Sequence, residues 1–184
     1  EFKNYYHKAI SSKQKNIEAI AISSFSKEKK FVDSRFVNLK FISDKEFIFF
    51  SNYNSPKSDQ FKSHSQISAL LYWNEINVQI RMIAEIRMKD QRFNNNYFKN
   101  RSASKNALAI SSHQSMEVDS YDIVKKGYQE AIENYDLTVC PKYWGGYSFI
   151  PTSFEFWEGH KNRLNKRTKY YLEKDNWVLK TLSP

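Results

Sequence analysis

The sequence is poor in cysteine and glycine, and both shortages exclude common kinds of protein. Cys140 is the only cysteine among 184 residues, so the chain can form neither an intrachain disulfide nor a metal site of clustered thiolates. We interpret Cys140 as a packed residue rather than a nucleophile. The four glycines fit neither the G-x-x-x-x-G-K-[ST] phosphate loop nor the G-x-G-x-x-G dinucleotide turn. The common nucleotide-binding folds are therefore excluded.

Long apolar runs and grouped metal ligands are also missing. No segment approaches the roughly 20 apolar residues that cross a bilayer, and the N-terminus lacks the apolar centre of a signal peptide. We therefore expect a cytoplasmic protein. The chain begins at Glu1 rather than at Met, and we expect it to be a fragment or a trimmed form. No metal ion is expected, because the histidines lie far apart in the sequence: His7, His64, His113 and His160.

Positive charge is in excess, with 29 Lys and Arg residues against 20 Asp and Glu and a formal net charge of +9. Such an excess favours an anionic partner, which can be a nucleic acid, a membrane surface or a phosphorylated small molecule. The densest basic run, from Lys161 to Lys169, contains few aromatic side chains suited to stacking on bases. We therefore expect neither nucleic acid nor a membrane as the partner.

The hydrophobic pattern predicts a strand-rich chain interrupted by helices. Strands are predicted over residues 17–25, 31–42, 46–52, 67–73 and 78–88, with a polar turn at 27–30 and short aromatic strands after Pro141. Helices are predicted over residues 2–10, 55–64, 89–105 and 121–135, the last with Ser120 as its N-cap. This grouping predicts one α+β domain over residues 1–184, mainly antiparallel β structure with its sheet closed as a barrel.

Two groups of cations are candidate anion sites. Arg35 and Lys40 lie five residues apart, so an unbroken strand would point their side chains to opposite faces of the sheet. The two cations then either bind different anions or extend from the surface into solvent. Tyr97, Arg101 and Lys105 recur every four residues and share one face if the helix continues that far. Such a face suits a phosphate, and the alternative is a solvated basic face.

Seven segments of the chain carry a combination of motifs that is specific as a set. They are SRFVNLK (34–40), FFSNYNSPKS (49–58), LLYWNEINVQIRMIAE (70–85), YFKNR (97–101), SSHQS (111–115), PKYWGGYSF (141–149) and FEFWEGHKNRLNKR (154–167). The WGGY, EFW-x-G and R-L-x-x-R signatures are specific in combination. Together the segments resemble the pyridoxamine 5'-phosphate oxidase family of flavin enzymes, and the resemblance covers nearly the whole chain.

The resemblance implies an FMN-binding split β-barrel with flanking helices, and a homodimer in which both subunits contribute to each site. The residues implied to bind FMN are Arg35, Phe36, Val37, Asn38, Leu39, Lys40, Phe50, Ser51, Lys57, Gln79, Gln114, Ser115, Trp157 and Arg167. The substrate phosphate is implied to lie among Lys40, Tyr97 and Arg101, with Lys105 at the position of a further phosphate ligand. Arg163 and Asn165 occupy the positions implied to be catalytic and to contact the substrate.

Four departures from the family pattern bear on the substrate. Pro56 stands where the family usually has an arginine, Lys105 replaces a small hydroxyl residue, and Ser102 replaces a proline. Asn165 replaces the histidine of an R-L-H triplet, and an amide cannot accept a proton at neutral pH.

The resemblance implies an FMN-dependent oxidase that converts pyridoxine or pyridoxamine 5'-phosphate to pyridoxal 5'-phosphate with O2 as acceptor. A second hypothesis keeps the flavin and assigns another ring compound as substrate, as in phenazine biosynthesis. A third is a flavin- or vitamer-binding protein with low turnover. Asn165 motivates both alternatives, and Lys105 also supports the second.

Overall fold

Nine strands join in one antiparallel sheet, and five helices flank it, in the computed structural model, which describes residues 1–184. The strands are β1 Ala19–Ser26, β2 Phe31–Asn38, β3 Phe41–Ser43, β4 Glu46–Asn52, β5 Gln66–Trp73, β6 Val78–Met88, β7 Trp144–Glu158, β8 Lys166–Glu173 and β9 Asn176–Leu182. The helices are α1 Phe2–Ser11, α2 Pro56–Ser63, α3 Gln91–Lys99, α4 Ala103–Ser111 and α5 Tyr121–Asn134. None of the five combines the length and the apolar character needed to span a membrane.

Strand β7 divides the sheet into two parts. The strand order is β2-β1-β5-β6-β7-β4-β3, and β8 and β9 continue from β7. One edge of β7 pairs with β6 along nearly its whole length, whereas the other edge pairs first with β4 and then with β8. The two ends of this one strand therefore belong to different parts of the molecule.

The sheet is open, as the resemblance to a split barrel implies, and the full closure predicted from the strand pattern was wrong. The terminal strands β2 and β3 are not paired with each other, because the strand predicted over residues 31–42 breaks between Asn38 and Phe41. At this break the Leu39 N–H donates to the Glu18 carbonyl at 2.9 Å, and the Lys40 N–H donates to the Ile48 carbonyl at 2.8 Å. The backbone thus changes hydrogen-bonding partner, and Lys40 leaves β2 to lie beside β4.

Strand β7 also differs from the several short strands predicted after Pro141. It continues through Pro151, a residue that lacks the N–H of a regular ladder. The register against β6 shifts between Ile83 and Ala84, next to the position that pairs with Pro151. A bulge is where a sheet accommodates proline, so the strand bends at this point and does not end.

The core is formed mainly by side chains of strands β1, β4, β5, β6 and β7, and α1 packs against it. Strand β6 buries alternate residues from Val78 to Ile86, which is the pattern of a strand with one face against the core. From α1, Tyr5 and Ala9 are buried, and the Tyr5 ring stacks on Phe156 with 5.2 Å between centroids. Helix α1 was correctly predicted, and its apolar face covers the sheet.

The helix predicted over residues 89–105 is two helices. Helix α3 ends at Lys99, and α4 begins at Ala103 with Ser102 as its N-cap. Arg101 therefore lies in the turn between them, and it does not share a helix face with Tyr97 and Lys105. The sequence analysis missed α4 as a separate element.

Candidate active site

A cavity of about 690 Å³ lies where the end of β2, the end of β4 and the α3–α4 turn meet. This volume is within the range of roughly 300 to 1,000 Å³ that is usual for small-molecule and cofactor sites. The lining residues are Phe36, Val37, Asn38, Lys40, Phe50, Ser51, Asn52, Lys57, Tyr97, Asn100, Arg101, Ser102, Lys105, Leu108, Ala109, Ser112, Gln114 and Trp144.

The charged groups in this lining are all positive. Lys40, Lys57, Arg101 and Lys105 contribute to it, and no Asp or Glu does. A concave wall of one sign concentrates field lines and attracts ions of the opposite sign. The cavity therefore suits a ligand with one or more strong negative charges.

Lys57 is the most deeply buried of these cations, with 7% of its surface exposed. Its Nζ donates to Ser51 Oγ at 3.1 Å, to Ser55 Oγ at 3.0 Å and to Gln114 Oε1 at 3.0 Å, all of which are uncharged acceptors. Burial, and to a smaller extent the nearby charge of Arg35, lowers the pKa of Lys57 to about 8. A buried ammonium without a carboxylate partner is stabilised by an anionic ligand.

The turn before α2 holds Lys57 in this position. Ser55 precedes the helix, and Pro56 occupies its first turn, where a missing N–H costs no helical hydrogen bond. The Ser55 and Ser58 hydroxyls both donate to the Asn52 carbonyl at 2.8 Å and tie the helix start to the end of β4.

Stacked aromatic rings form the opposite wall. The Phe50 ring stacks on Tyr97 with 3.8 Å between centroids and on Trp144 with 5.1 Å between centroids. Burial raises the pKa of Tyr97, so its hydroxyl stays protonated and can donate a hydrogen bond to an anion.

Arg101 lies over this aromatic wall. Its guanidinium carbon is 4.3 Å from the centroid of the Trp144 ring, and its Nη1 donates to Asn106 Oδ1 at 3.0 Å. Burial lowers the pKa of Arg101, but an arginine remains charged at any physiological pH. Its partner is a neutral amide, so its charge is not compensated within the protein.

A second cluster lies at the other end of β7. Gln79 on β6 is opposite Trp157, and Trp157 is opposite Arg167 on β8. Arg167 donates to Glu155 Oε1 through Nη2 at 2.8 Å and through Nε at 3.1 Å. Trp144 in the cavity and Trp157 in this cluster are separated along β7 by roughly 40 Å of strand rise.

The loop between β7 and β8 contains Arg163 and Asn165. Arg163 has a positive φ of 61°, and its N–H donates to the His160 carbonyl at 2.8 Å. Asn165 Oδ1 accepts a hydrogen bond from the His160 N–H at 3.0 Å. Asn165 therefore closes the loop with its amide oxygen and leaves its NH2 group able to donate to another molecule.

Comparison with known proteins assigns the family. A family model described as the pyridoxine 5'-phosphate oxidase C-terminal dimerisation region matches residues 144–184. The whole chain is 32% identical to pyridoxine/pyridoxamine 5'-phosphate oxidase 1 of Hydrogenovibrio crunogenus and covers 87% of that protein. It is also 33% identical over its whole length to the pyridoxine/pyridoxamine 5'-phosphate oxidase of Psychromonas ingrahamii, of which it covers 85%. The chain belongs to the pyridoxine/pyridoxamine 5'-phosphate oxidase family.

Solved structures agree with this assignment to the oxidase family. PhzG from Burkholderia lata 383, in complex with tetrahydrophenazine-1-carboxylic acid, superposes with a TM-score of 0.91 at 25% identity, over 100% of this chain and 90% of that one. A pyridoxamine 5'-phosphate oxidase-related, FMN-binding protein from Nostoc punctiforme gives a TM-score of 0.80 at 13% identity, over 100% and 95% of the two chains. The predicted α+β split-barrel fold is confirmed, as is the predicted enzyme class, an FMN-dependent oxidoreductase.

Eleven of the residues that the family resemblance implied line the cavity together. They come from five separate segments of the chain, and they are Phe36, Val37, Asn38, Lys40, Phe50, Ser51, Lys57, Tyr97, Arg101, Lys105 and Gln114. Leu39 and Ser115 are chain neighbours of lining residues. Five others lie in the second cluster or its loop, and one protomer does not bring them to the cavity: Gln79, Trp157, Arg163, Asn165 and Arg167.

Arg35 lies behind the cavity wall. Its guanidinium donates to Asp33 Oδ2 at 2.5 Å, to Ser24 Oγ at 2.6 Å and to Gln60 Oε1 at 2.9 Å. Arg35 is not a lining residue, but its charge contributes to the lowered pKa of Lys57. Arg35 and Lys40 are thus in different surroundings, as the sequence analysis expected, although a break in the strand separates them.

Sequence reasoning missed seven lining residues and the buried amide of Asn106. The seven are Asn52, Asn100, Ser102, Leu108, Ala109, Ser112 and Trp144. Trp144 belongs to the WGGY signature, which carried part of the family resemblance but was not assigned to the site. Asn106 precedes the apolar run ALAI, and an amide on the buried face of a helix is a sign of a specific hydrogen-bonding role.

Proposed function

We propose that this chain acts as a homodimer that binds FMN and oxidises pyridoxine or pyridoxamine 5'-phosphate to pyridoxal 5'-phosphate, with O2 as acceptor. The observation that supports the proposal is the cavity with four cations, no carboxylate, and neutral partners for Lys57 and Arg101. Two phosphate monoesters have a combined charge of about −3 to −4 at neutral pH, which four cations balance.

The FMN phosphate is assigned to the end of the cavity around Lys57. Lys57, Ser51 and Gln114 already form one hydrogen-bonded group, in which Gln114 Oε1 accepts from both other side chains. Arg35 lies behind them and is paired with Asp33. When bound, FMN supplies a ring that accepts a hydride from the substrate and returns the electrons to O2, which yields hydrogen peroxide. Residues 36–40 are assigned to the edge of that ring.

The substrate phosphate is assigned to the group of Lys40, Tyr97, Arg101 and Lys105. Arg101 offers a planar fork of donors, Lys40 and Lys105 offer point charges, and the Tyr97 hydroxyl offers one further donor. Anchoring the phosphate here orients the rest of a small substrate, because a bound ring held at one end loses most of its rotational freedom.

The second subunit is assigned the remaining part of the site. Arg163, Asn165 and the second cluster lie at the far end of β7 and do not line the cavity of their own protomer. We therefore assign them to the cavity of the partner. The outer face of the sheet exposes apolar side chains that a dimer would cover, among them Phe36, which is 75% exposed. The match of residues 144–184 to a dimerisation region supports the same assembly.

The test of the proposed function has two parts. We expect the purified protein to be yellow and to release FMN, identified by mass, rather than FAD. We expect it to produce hydrogen peroxide in steady state with pyridoxine or pyridoxamine 5'-phosphate and oxygen. A colourless protein that does not take up added FMN would contradict the proposal.

A second candidate function is oxidation of another ring compound on the same flavin. The similarity to PhzG at a TM-score of 0.91 favours it, together with Lys105 and Asn165 at substrate positions. The two candidates differ in the compound that reduces the flavin. Peroxide release with a reduced phenazine precursor but with neither phosphorylated vitamer would select the second candidate.

Replacing Asn165 by histidine tests whether the side chain at this position only orients the substrate or must also accept a proton from it. Asn165 can orient the substrate through its free NH2 group but cannot take a proton at neutral pH. We expect the natural protein to oxidise pyridoxine 5'-phosphate measurably. We expect Asn165→His to change the rate of flavin reduction by less than about tenfold, because a residue that only orients the substrate needs no more than a hydrogen-bond donor. Anaerobic single-turnover absorbance of the bound flavin measures this step.

Other results of the Asn165→His comparison have distinct meanings. A rise of about 10²-fold in the histidine variant would show that general base catalysis is required at this position. A flavin that stays oxidised in both proteins would exclude the vitamer as substrate and favour the second candidate.

A further inference from the structure

We propose that Asn106 is a positioning residue that holds Arg101 for the substrate phosphate without neutralising its charge. The inference rests on the proposed function and extends it to a buried residue that does not line the cavity. Asn106 has 1% of its surface exposed and lies on the inner face of α4.

The hydrogen bonds of Asn106 fix its orientation. Its Nδ2 donates to the Phe98 carbonyl at 2.9 Å and to the Leu137 carbonyl at 2.8 Å, which uses both amide hydrogens. Its Oδ1 must then point the other way, where it accepts from Arg101 Nη1 at 3.0 Å. One side chain thus connects the end of α3, the segment before β7 and the guanidinium.

The local backbone explains why Arg101 needs this support. Arg101 follows the end of α3 and lies in the turn before α4, outside the regular structure of either helix. The Trp144 ring packs against the flat face of the guanidinium, but stacking does not fix rotation in that plane. The bond to Asn106 supplies the missing constraint and occupies one of the five N–H donors.

The chemistry of the partner matters as much as its geometry. Lys89, which lies outside the cavity lining, pairs with the carboxylate of Glu46 at 2.8 Å, so its charge is compensated. Lys57 and Arg101 are instead held by the amide oxygens of Gln114 and Asn106, both at 3.0 Å. An amide can orient a cation and leave its full charge for a ligand.

Two variants of Asn106 separate geometry from charge. Asn106→Leu removes all three hydrogen bonds at similar volume. Asn106→Asp also loses both donations of Nδ2, but it keeps an acceptor for Arg101 and adds a negative charge beside the guanidinium. Asn94→Leu is the matched control, because Asn94 is also 1% exposed and bonds to Tyr53 and Gly146, not to Arg101. The measurements are KM and kcat with pyridoxine 5'-phosphate and the affinities of the FMN-loaded proteins for pyridoxal 5'-phosphate and pyridoxal.

We expect both Asn106 variants to raise KM for the phosphorylated substrate by about tenfold or more, the usual effect of losing a charged hydrogen bond. We expect kcat, FMN affinity and pyridoxal affinity to change by less than about threefold, and Asn106→Asp to have the larger effect on KM. In an Arg101→Ala background, Asn106→Leu should have no additional effect on KM, because the two residues then act through one interaction.

Three results would overturn the proposal. They are an unchanged KM in both Asn106 variants, an equal rise in KM for Asn94→Leu, and a full effect of Asn106→Leu in the absence of Arg101. Should the natural protein oxidise neither vitamer, the proposed function fails. The role of Asn106 is then tested by titrating the same variants with inorganic phosphate. The proposal is supported if both Asn106 variants bind phosphate more weakly than the natural protein and Asn94→Leu.

Discussion

Two inactive variants, Arg101→Ala and Arg163→Ala, should together recover about a quarter of the natural activity when their subunits are mixed one to one. Each variant alone should turn over pyridoxine 5'-phosphate about a hundredfold more slowly at substrate concentrations below KM. Random pairing makes half of the dimers mixed. Each mixed dimer then has one site with both defects and one site with neither.

The physical reason is the length of β7. Arg101 packs on Trp144 at the first residue of this strand, whereas Arg163 lies in the loop after its last residue, Glu158. The two ends of β7 pair with different strands, β4 at one end and β8 at the other, and no residue of the β7–β8 loop lines the cavity. The proposed site therefore combines the cavity of one subunit with the loop of the other.

Subunits can be mixed by co-expression with two different tags, followed by isolation of the doubly tagged dimer, which should have about half of the natural activity because every such dimer is mixed. The matched control is Arg101→Ala mixed with Lys40→Ala, since both defects lie in the cavity and no mixed dimer then has an intact site. That mixture should remain inactive. Doubly tagged dimers of Arg101→Ala and Arg163→Ala that are also inactive would show that each site is built within a single subunit.

The sequence predicted most strands because one face of the sheet is buried. Apolar residues alternate along β6 with a period of two, which is the pattern of a strand with one buried face. The strand was predicted over residues 78–88, and these are its bounds in the structure. Pro151 could not be placed in the same way. Whether proline ends a strand or occupies a bulge depends on the partner strand, and that information is tertiary.

The break between α3 and α4 shows the same limit for helices. Tyr97, Arg101 and Lys105 have helical spacing, and the sequence analysis predicted an anion site on one helix face. They converge on one cavity through a turn, not through a shared helix face. Asn106 became recognisable only when the partners of its amide were known, because one of them, Leu137, lies 31 residues away and belongs to another segment.

The site at Lys57 should make FMN binding depend on pH. We expect the affinity for FMN to be the same at pH 7.5 and pH 8 and to fall as the pH rises further. In the protein without FMN, burial holds the pKa of Lys57 at about 8, far below its ordinary value. A bound phosphate dianion stabilises the ammonium and raises this pKa, so the complex takes up a proton when it forms above pH 8. The apparent affinity should then fall by up to about tenfold per pH unit between pH 8 and the higher pKa of the complex.

Other groups do not produce this dependence. The second ionisation of a phosphate monoester has a pKa of about 6, so FMN is a dianion throughout the range from about pH 7.5 to 9.5. Burial raises the pKa of Tyr97, which keeps its hydroxyl protonated there.

Lys57→Met should bind FMN about ten- to a hundredfold more weakly at pH 7.5 and without this pH dependence. Lys57→Arg keeps a permanent cation and should also lack the dependence, although its affinity should be higher than that of Lys57→Met. Quenching of FMN fluorescence on binding measures all three proteins, and an affinity of the natural protein that is unchanged from pH 7.5 to 9.5 would show that Lys57 does not bind the phosphate.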